Sequence, residues 1–176
     1  MPRARRFSQG ARLLEIGIIS RPHGTSGEVK VQTSPEYLTA LEGVRKVYLG
    51  NAIQGTPVLG CRIHQNALLL QLEGVQSRND AESLRGARVQ VRTSELPVLS
   101  PGEYYSFQLV GMHVTDETGT ELGIVSDILA TGSNDVYVVN TPDGSELLLP
   151  AIESVIRKVD PDSQRMEVKV PEGLRD

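Results

Sequence analysis

The most distinctive polar cluster in the chain is the segment His23-Gly24-Thr25-Ser26-Gly27-Glu28. A histidine beside a glutamate in a glycine-rich loop is a combination that can perform general acid–base chemistry. A structural explanation is stronger, because Gly24 and Gly27 permit the positive φ angles of a tight hairpin and the histidine can hydrogen-bond across the loop. No Walker-type lysine pattern follows, which excludes a phosphate loop. We therefore predict that His23, Gly24 and Gly27 form a structural loop.

The other reactive side chains are scattered along the chain. His64 and His113 lie in strand-like runs without metal-ligand spacing, and the single cysteine, Cys61, can form neither an internal disulfide nor a cysteine-based zinc site. The apolar neighbours of Cys61 favour a buried, inert thiol. No serine lies in a nucleophile elbow, and no dinucleotide fingerprint is present. The sequence therefore predicts a binding protein with no catalytic residue, no metal and no cofactor.

Tyr104 and Tyr105 are two of only seven aromatic residues, and they follow Glu103 directly. In an extended segment adjacent side chains point to opposite faces, so one tyrosine can enter a core while the other faces solvent or a neighbouring domain. An exposed tyrosine is favoured at protein–protein contacts. The alternative, that both rings pack at a domain junction, has equal weight.

Charge divides the chain into two parts. Residues 1–98 hold 13 Lys+Arg against 8 Asp+Glu, and residues 99–176 hold 5 against 14, so balances of +5 and −9 make up the net charge of −4. A basic face attracts phosphate and an acidic face attracts a basic protein. Drift in the charges of two small domains explains the same numbers equally well.

Six arginines of the basic part are candidates for phosphate contact. Four of them precede the first acidic residue and belong to a predicted flexible arm or its junction with the first strand: Arg3, Arg5, Arg6 and Arg12. Arg88 and Arg92 share one face of a predicted strand, with Val89 and Val91 on the other. The alternative is that these arginines only keep the surface soluble.

Short strands are the elements that must position these residues. Period-two alternation predicts half-buried strands, and short apolar runs predict buried ones, at 13–19, 28–32, 67–72, 88–92, 136–139, 146–149 and 166–170. Turn residues separate these strands at 24–27, 117–119, 142–144 and 160–163. Helix is limited to 35–42 and to 77–85, where Ser77 or Asn79 is the N-cap. This pattern predicts an all-β protein of barrels or sandwiches.

Two prolines and a glycine between residues 96 and 102 mark a domain boundary, because proline removes a hydrogen-bond donor and fixes φ. We predict a basic arm at 1–11, a first β-barrel at 12–95, a linker at 96–102 and a second β-barrel at 103–174. No run of about 18 apolar residues is present, and no apolar segment follows the basic N-terminus. With the single cysteine, these features favour the cytoplasm and no membrane contact.

Several segments together resemble the ribosome maturation factor RimM family. Each is short, and they occur in the family's order over about residues 12–174: Ile16-Gly17-Ile18-Ile19, His23-Gly24, Gly27-Glu28-Val29-Lys30-Val31, Asn79 to Gly86, Glu103-Tyr104-Tyr105 to Gly111, Leu122 to Val125, Asn134-Asp135-Val136, Leu149-Pro150-Ala151 and Pro171 to Leu174. The family often has an aromatic residue and an aspartate after the two tyrosines, where this chain has Ser106, Phe107 and Gln108.

The resemblance implies a translation-factor-like β-barrel followed by a PRC-type β-barrel. It also implies a non-enzymatic, monomeric assembly factor in the cytoplasm that promotes maturation of the small (30S) ribosomal subunit and processing of its 16S rRNA. The implied partners are ribosomal protein nineteen of the 30S head and adjacent rRNA of the immature particle. Glu103, Tyr104 and Tyr105 are the implied protein-binding residues. The six arginines above are then RNA-contacting candidates.

Two other functions compete with this one. A generic RNA-binding barrel would use only the basic part, but residues 1–98 offer no aromatic platform for stacking bases. An enzyme is disfavoured by the absence of a catalytic constellation. Cosedimentation with small subunits at low and high salt separates the assembly factor and the RNA-binding barrel from the enzyme.

Overall fold

The computed structural model describes residues 12–174. The chain divides between Val98 and Leu99 into two compact units, each with its own sheet.

The first unit is a closed, entirely antiparallel six-stranded barrel with the strand order β1-β2-β5-β4-β3-β6. Its strands are β1 Leu13–His23, β2 Glu28–Thr33, β3 Lys46–Leu49, β4 Thr56–His64, β5 Ala67–Leu72 and β6 Arg88–Arg92. The helices α1 Pro35–Ala40 and α2 Arg78–Ser83 lie between strands, and short 3₁₀ turns cover Leu41–Gly43 and Thr93–Glu95.

The barrel closes because β1 is long, has two register shifts, and has no side chain at Gly17, where it approaches β2 closely. Its pairing register shifts between Glu15 and Gly17 on the β6 side and between Ile19 and Arg21 on the β2 side. Such bulges bend a strand and increase its twist, which lets one strand pair with two neighbours around a barrel. A Cβ on Gly17 would lie 2.1 Å from the carbonyl oxygen of Gln32, so only glycine permits this approach of β1 to β2.

Helix α2 has the predicted N-terminal cap. The Ser77 hydroxyl accepts a hydrogen bond from the Asp80 N–H at 3.1 Å, and the Asp80 carboxylate accepts one from the Ser77 N–H at 2.9 Å. The two bonds form a capping box that satisfies N–H groups the helix cannot pair itself. Hydrogen bonding to the Ser77 side chain, and to the backbone N–H groups of Gln76 and Ser77, lowers the pKa of the Asp80 carboxylate. Ala81 is the only residue of this short helix that is buried, so α2 covers the barrel with a narrow face.

The second unit is a six-stranded sheet with the order β10-β9-β8-β7-β12-β11. A short helix, α3 Ser106–Leu109, precedes β7 His113–Asp116, β8 Glu121–Leu129, β9 Val136–Asn140, β10 Glu146–Pro150, β11 Ile156–Asp160 and β12 Arg165–Val168. The strands are antiparallel neighbours except β7 and β12, which run parallel. Alternate residues of these strands form one core, in which Met112, Val114, Val139 and Leu149 are fully buried.

The predicted all-β class is confirmed, and several details are corrected. Strand β1 continues to His23 rather than ending at Ile19, and the last strand ends at Val168 rather than Val170. The first helix ends at Ala40, with a 3₁₀ turn completing the predicted stretch. No ranges were predicted for strands β3, β4, β7, β8 and β11 or for helix α3, although His64 and His113 were expected in strands. In the second unit, β10 and β11 stand at the two ends of the hydrogen-bonded ladder of the described strands.

Candidate binding surfaces

The two adjacent tyrosines have different environments in the second unit. Tyr105 is 5% exposed, its N–H donates to the Gln108 Oε1 at 2.8 Å, and its ring stacks on Phe107 with centroids 5.7 Å apart. Tyr104 is partly exposed and packs against the core of the second unit. The two rings therefore differ in burial: Tyr105 is buried at the start of α3, and Tyr104 keeps accessible surface.

Tyr104 lies near the start of β9. Burial raises the pKa of the Tyr137 hydroxyl, and the neighbouring Asp135 and Tyr104 raise it further. Glu103 is exposed, and its carboxylate accepts a hydrogen bond from the Ser100 N–H at 3.3 Å. The predicted segment thus offers one partly accessible ring near Tyr137 and one exposed carboxylate.

An apolar sheet face with acidic side chains, which the sequence analysis missed, lies on β8, β9 and β10. Cross-strand pairing places Asp127 opposite Val138 and Val138 opposite Leu148, and it places Ile124 opposite Asn140 and Asn140 opposite Glu146. Opposite residues point to the same side of a sheet. Tyr137 and Val139 point to the core, so this other face is the outer one. We name it the acidic apolar face; it comprises Ile124, Asp127, Leu129, Val138, Glu146 and Leu148.

This face leaves both apolar and charged groups open to contact. Ile124, Leu129 and Leu148 are 41%, 45% and 45% exposed. Neither Asp127 nor Glu146 forms an ion pair with any of the described residues. The sequence does carry a signal for it: β9 and β10 contain consecutive apolar residues, whereas a strand with one solvated face alternates.

Two of the predicted arginines of the first unit, Arg88 and Arg92, contact other side chains of the barrel. Val89 and Val91 are fully buried, which confirms the predicted orientation of the strand. Arg88 lies 3.6 Å from Glu15, and Arg92 donates through Nε to the Tyr48 hydroxyl at 2.7 Å with its guanidinium 5.2 Å from the ring centroid. Arg12 is exposed. Arg3, Arg5 and Arg6 lie outside the described residues.

The glycines of the predicted structural loop have the required geometry. Gly24 and Gly27 have φ angles of +67° and +89°, and a Cβ on Gly27 would lie 2.4 Å from the Val75 carbonyl oxygen. Arg78 donates to the Gly24 carbonyl oxygen at 3.2 Å. His23 makes no hydrogen bond across the loop within the described part of the chain. Its ring instead lies 5.4 Å, centroid to centroid, from that of His64.

The remaining candidates offer no catalytic constellation. Cys61 is half-buried rather than fully buried, and burial together with the nearby Glu42 raises the pKa of its thiol, which disfavours the reactive thiolate. His113 pairs with Glu121 at 2.8 Å on the surface. Among residues 12–174, no three His, Cys, Asp or Glu side chains are placed to share a metal ion. No helix in that same range is long and apolar enough to span a membrane.

Comparison with known proteins places both units in one family. Residues 14–96 match the model of the RimM N-terminal domain, and residues 106–174 match that of the RimM PRC barrel domain. Relatives described as ribosome maturation factor RimM include those of Geotalea daltonii, 36% identical over 97% of this chain and 99% of the relative, and Shouchella clausii, 39% identical over 92% and 96%. A crystal structure of a 16S ribosomal RNA processing protein RimM from Pseudomonas aeruginosa is similar at 32% identity, covering 91% of this chain and 98% of that one, with a TM-score of 0.46. The chain therefore belongs to the ribosome maturation factor RimM family.

Proposed function

We infer that this chain is a non-enzymatic assembly factor that binds the immature 30S subunit and promotes processing of its 16S rRNA. Membership in the RimM family supports a role in ribosome maturation. The finer proposal is that the second unit binds ribosomal protein nineteen of the 30S head, while the first unit contacts adjacent rRNA. The chain acts as a cytoplasmic monomer without a cofactor.

The acidic apolar face is the observation that carries the protein-binding part of this proposal. Ribosomal proteins that lie on rRNA are basic, and a surface that combines exposed apolar side chains with carboxylates that have no cationic partner among the described residues complements such a protein. Glu103 and Tyr104 are a separate part of the proposed contact: Tyr104 packs against the core of the same unit near Tyr137 and keeps accessible surface. An accessible tyrosine of this kind is a typical hot spot of protein interfaces.

Stoichiometric binding, rather than catalysis, fits this arrangement. The factor holds the ribosomal protein with one unit and nearby rRNA with the other, and it leaves when the mature contacts of the particle replace its own. Such a mechanism requires opposite net charges on the two units, and it requires no reactive side chain. A generic RNA-binding barrel would leave the −9 balance of residues 99–176 without a role.

Titration of the full chain with purified ribosomal protein nineteen in a calorimeter tests the proposal. We expect binding that weakens with added salt, because opposite charges face each other. Replacing both carboxylates of the face, Asp127→Asn with Glu146→Gln, should weaken binding at least tenfold. The matched control is Asp162→Asn with Glu167→Gln, which removes the same charge from β12 and the turn before it. Equal losses in both double variants, or no binding by the unaltered chain, would contradict the proposal.

A further inference from the structure

Three cationic side chains lie in one line across the outside of the first barrel. Arg21 of β1 pairs with Lys30 of β2, Lys30 pairs with Leu69 of β5, and Leu69 pairs with Arg62 of β4. Residues opposite each other in antiparallel strands share a face. Val29 and Val31, which flank Lys30, are fully buried in the interior, so the line lies outside. We name Arg21, Lys30 and Arg62 the basic row.

The row is accessible and carries excess positive charge. Arg21 is exposed, Lys30 is partly exposed, and the Arg62 side chain is 54% exposed. Arg21 and Lys30 form no ion pair within residues 12–174. Glu28 is the acid at the row, and it accepts two hydrogen bonds from Arg62, at 3.0 and 3.2 Å. Within the described residues, two cations of the row therefore have no acidic partner, and the third, Arg62, is held by a carboxylate that an incoming phosphate can replace.

Two histidines extend the same cluster. His23 pairs with Glu28 across β1 and β2, and the ring of His64 lies 5.4 Å from that of His23. The Arg62 hydrogen bond is the main cause that lowers the pKa of Glu28, and the charges of Arg62, His23 and His64 lower it further. Arg62, His23 and His64 thus surround one carboxylate at the end of the row.

The shape of the row selects a class of ligand. It crosses three strand spacings of about 4.8 Å each, and so extends about 14 Å along a surface. Leu69, between the cations, is fully buried and gives no platform for a base. A line of cations without an aromatic platform fits an extended polyanion held by its backbone, since contacts of Lys and Arg to phosphates need no base recognition.

We propose that the basic row binds the phosphodiester backbone of rRNA. This inference rests on the proposed function, and it assigns an RNA contact of the first unit to Arg21, Lys30 and Arg62.

Salt dependence of binding tests the row. The full chain is titrated with a labelled 20-base-pair RNA duplex and with immature small subunits at 50–200 mM salt. Replacing all three cations by glutamine should flatten the slope of log K against log salt by about 2 to 3 units. The ratio of the affinities at 50 and 200 mM salt then falls by about 16- to 64-fold. The control removes three exposed cations from elsewhere in the unit, Arg45→Gln, Lys46→Gln and Arg85→Gln, and should keep nearly the original slope.

A second variant moves the affinity in the opposite direction. Glu28→Gln removes the acid of the row and frees Arg62, so binding of the duplex should tighten and the slope should steepen by up to about one unit. The matched control, Glu82→Gln, frees Arg85 from its 2.8 Å ion pair outside the row and should change little. An affinity gain confined to Glu28→Gln cannot result from unfolding.

The outcomes separate this inference from the proposed function. Unaltered affinity and slope in the triple variant, while the unmodified chain binds immature subunits, overturn the inference and leave the proposed function in place. Row-dependent binding of polyglutamate without binding of the duplex assigns the row to an acidic protein and also overturns it. An unmodified chain that binds the duplex through the row but ignores immature subunits contradicts the proposed function.

Discussion

Single replacement of each tyrosine should separate a binding residue from a structural one. Tyr105 is 5% exposed and its ring stacks on Phe107, so Tyr105→Ala removes a large buried side chain. Such truncations cost about 3–5 kcal/mol of stability. The second unit has only 78 residues, and 1 kcal/mol shifts the melting temperature of a domain of this size by about 4–8 °C. The variant should therefore melt at least about 12 °C lower.

Tyr104→Ala should have the opposite profile. Its ring is partly exposed, so a smaller apolar area is lost and the cost in stability is about 1–2 kcal/mol. If Tyr104 is a hot spot, its loss costs about 2 kcal/mol or more of binding free energy, which is about a 30-fold weaker complex with ribosomal protein nineteen. Tyr104→Phe keeps the ring and should retain most of the affinity.

Thermal melting and calorimetric binding on the same preparations measure both quantities. Binding is compared at a temperature where every variant remains folded, as circular dichroism verifies. The reasoning is refuted if Tyr105→Ala melts with the unmodified protein, or if Tyr104→Ala binds ribosomal protein nineteen with unaltered affinity.

Three further predictions concern local structure. In chemical denaturation, Gly27→Ala should lower the free energy of unfolding by more than about 2 kcal/mol, and Gly24→Ala by about 1 kcal/mol. Both glycines have positive φ, but only a Cβ at Gly27 would collide with the Val75 carbonyl group. Equal losses in the two variants would contradict this explanation. Ser77→Ala should lower the free energy of unfolding by about 1 kcal/mol, measured by chemical denaturation. It should also raise the pKa of Asp80 towards its ordinary value, measured by carboxyl NMR. An unaltered pKa would mean that the capping box is not formed. Hydrogen bonds from Ser145 and Thr141 lower the pKa of Asp143 from 3.8 to about 2. The contribution of these bonds to stability is therefore complete above about pH 4 and is lost as the pH falls through about 2. An NMR titration midpoint near 3.8 would contradict the hydrogen bonding of the turn at Asp143.

The fold class and the turns were predictable because their signals are local. Alternation at Val29 and Val31 marks a half-buried strand, and Pro142-Asp143-Gly144 marks a turn, without reference to the rest of the chain. The cap at Ser77 was predictable for the same reason. Strands β3 and β4 were missed since their residues do not alternate clearly: β4 has a register shift at Leu59 and several exposed apolar positions, so its pairing depends on partners distant in sequence.

The binding surfaces were only partly predictable because they depend on strand register. Arg21, Lys30 and Arg62 are far apart in the sequence and become neighbours only when β1, β2, β5 and β4 pair. The same holds for Asp127 and Glu146 on the acidic apolar face. The two tyrosines were visible as a pair, but the difference in their burial follows from the start of α3 at Ser106, which sequence propensity did not indicate.

Cosedimentation of the purified chain with immature and mature small subunits tests the central claim most directly. The unmodified chain should pellet with immature particles at low salt in a ratio near one to one, dissociate as salt rises, and bind mature subunits more weakly. A chain that stays in the supernatant with immature particles at low salt, or that binds mature subunits equally well, would contradict its role as an assembly factor for the immature particle.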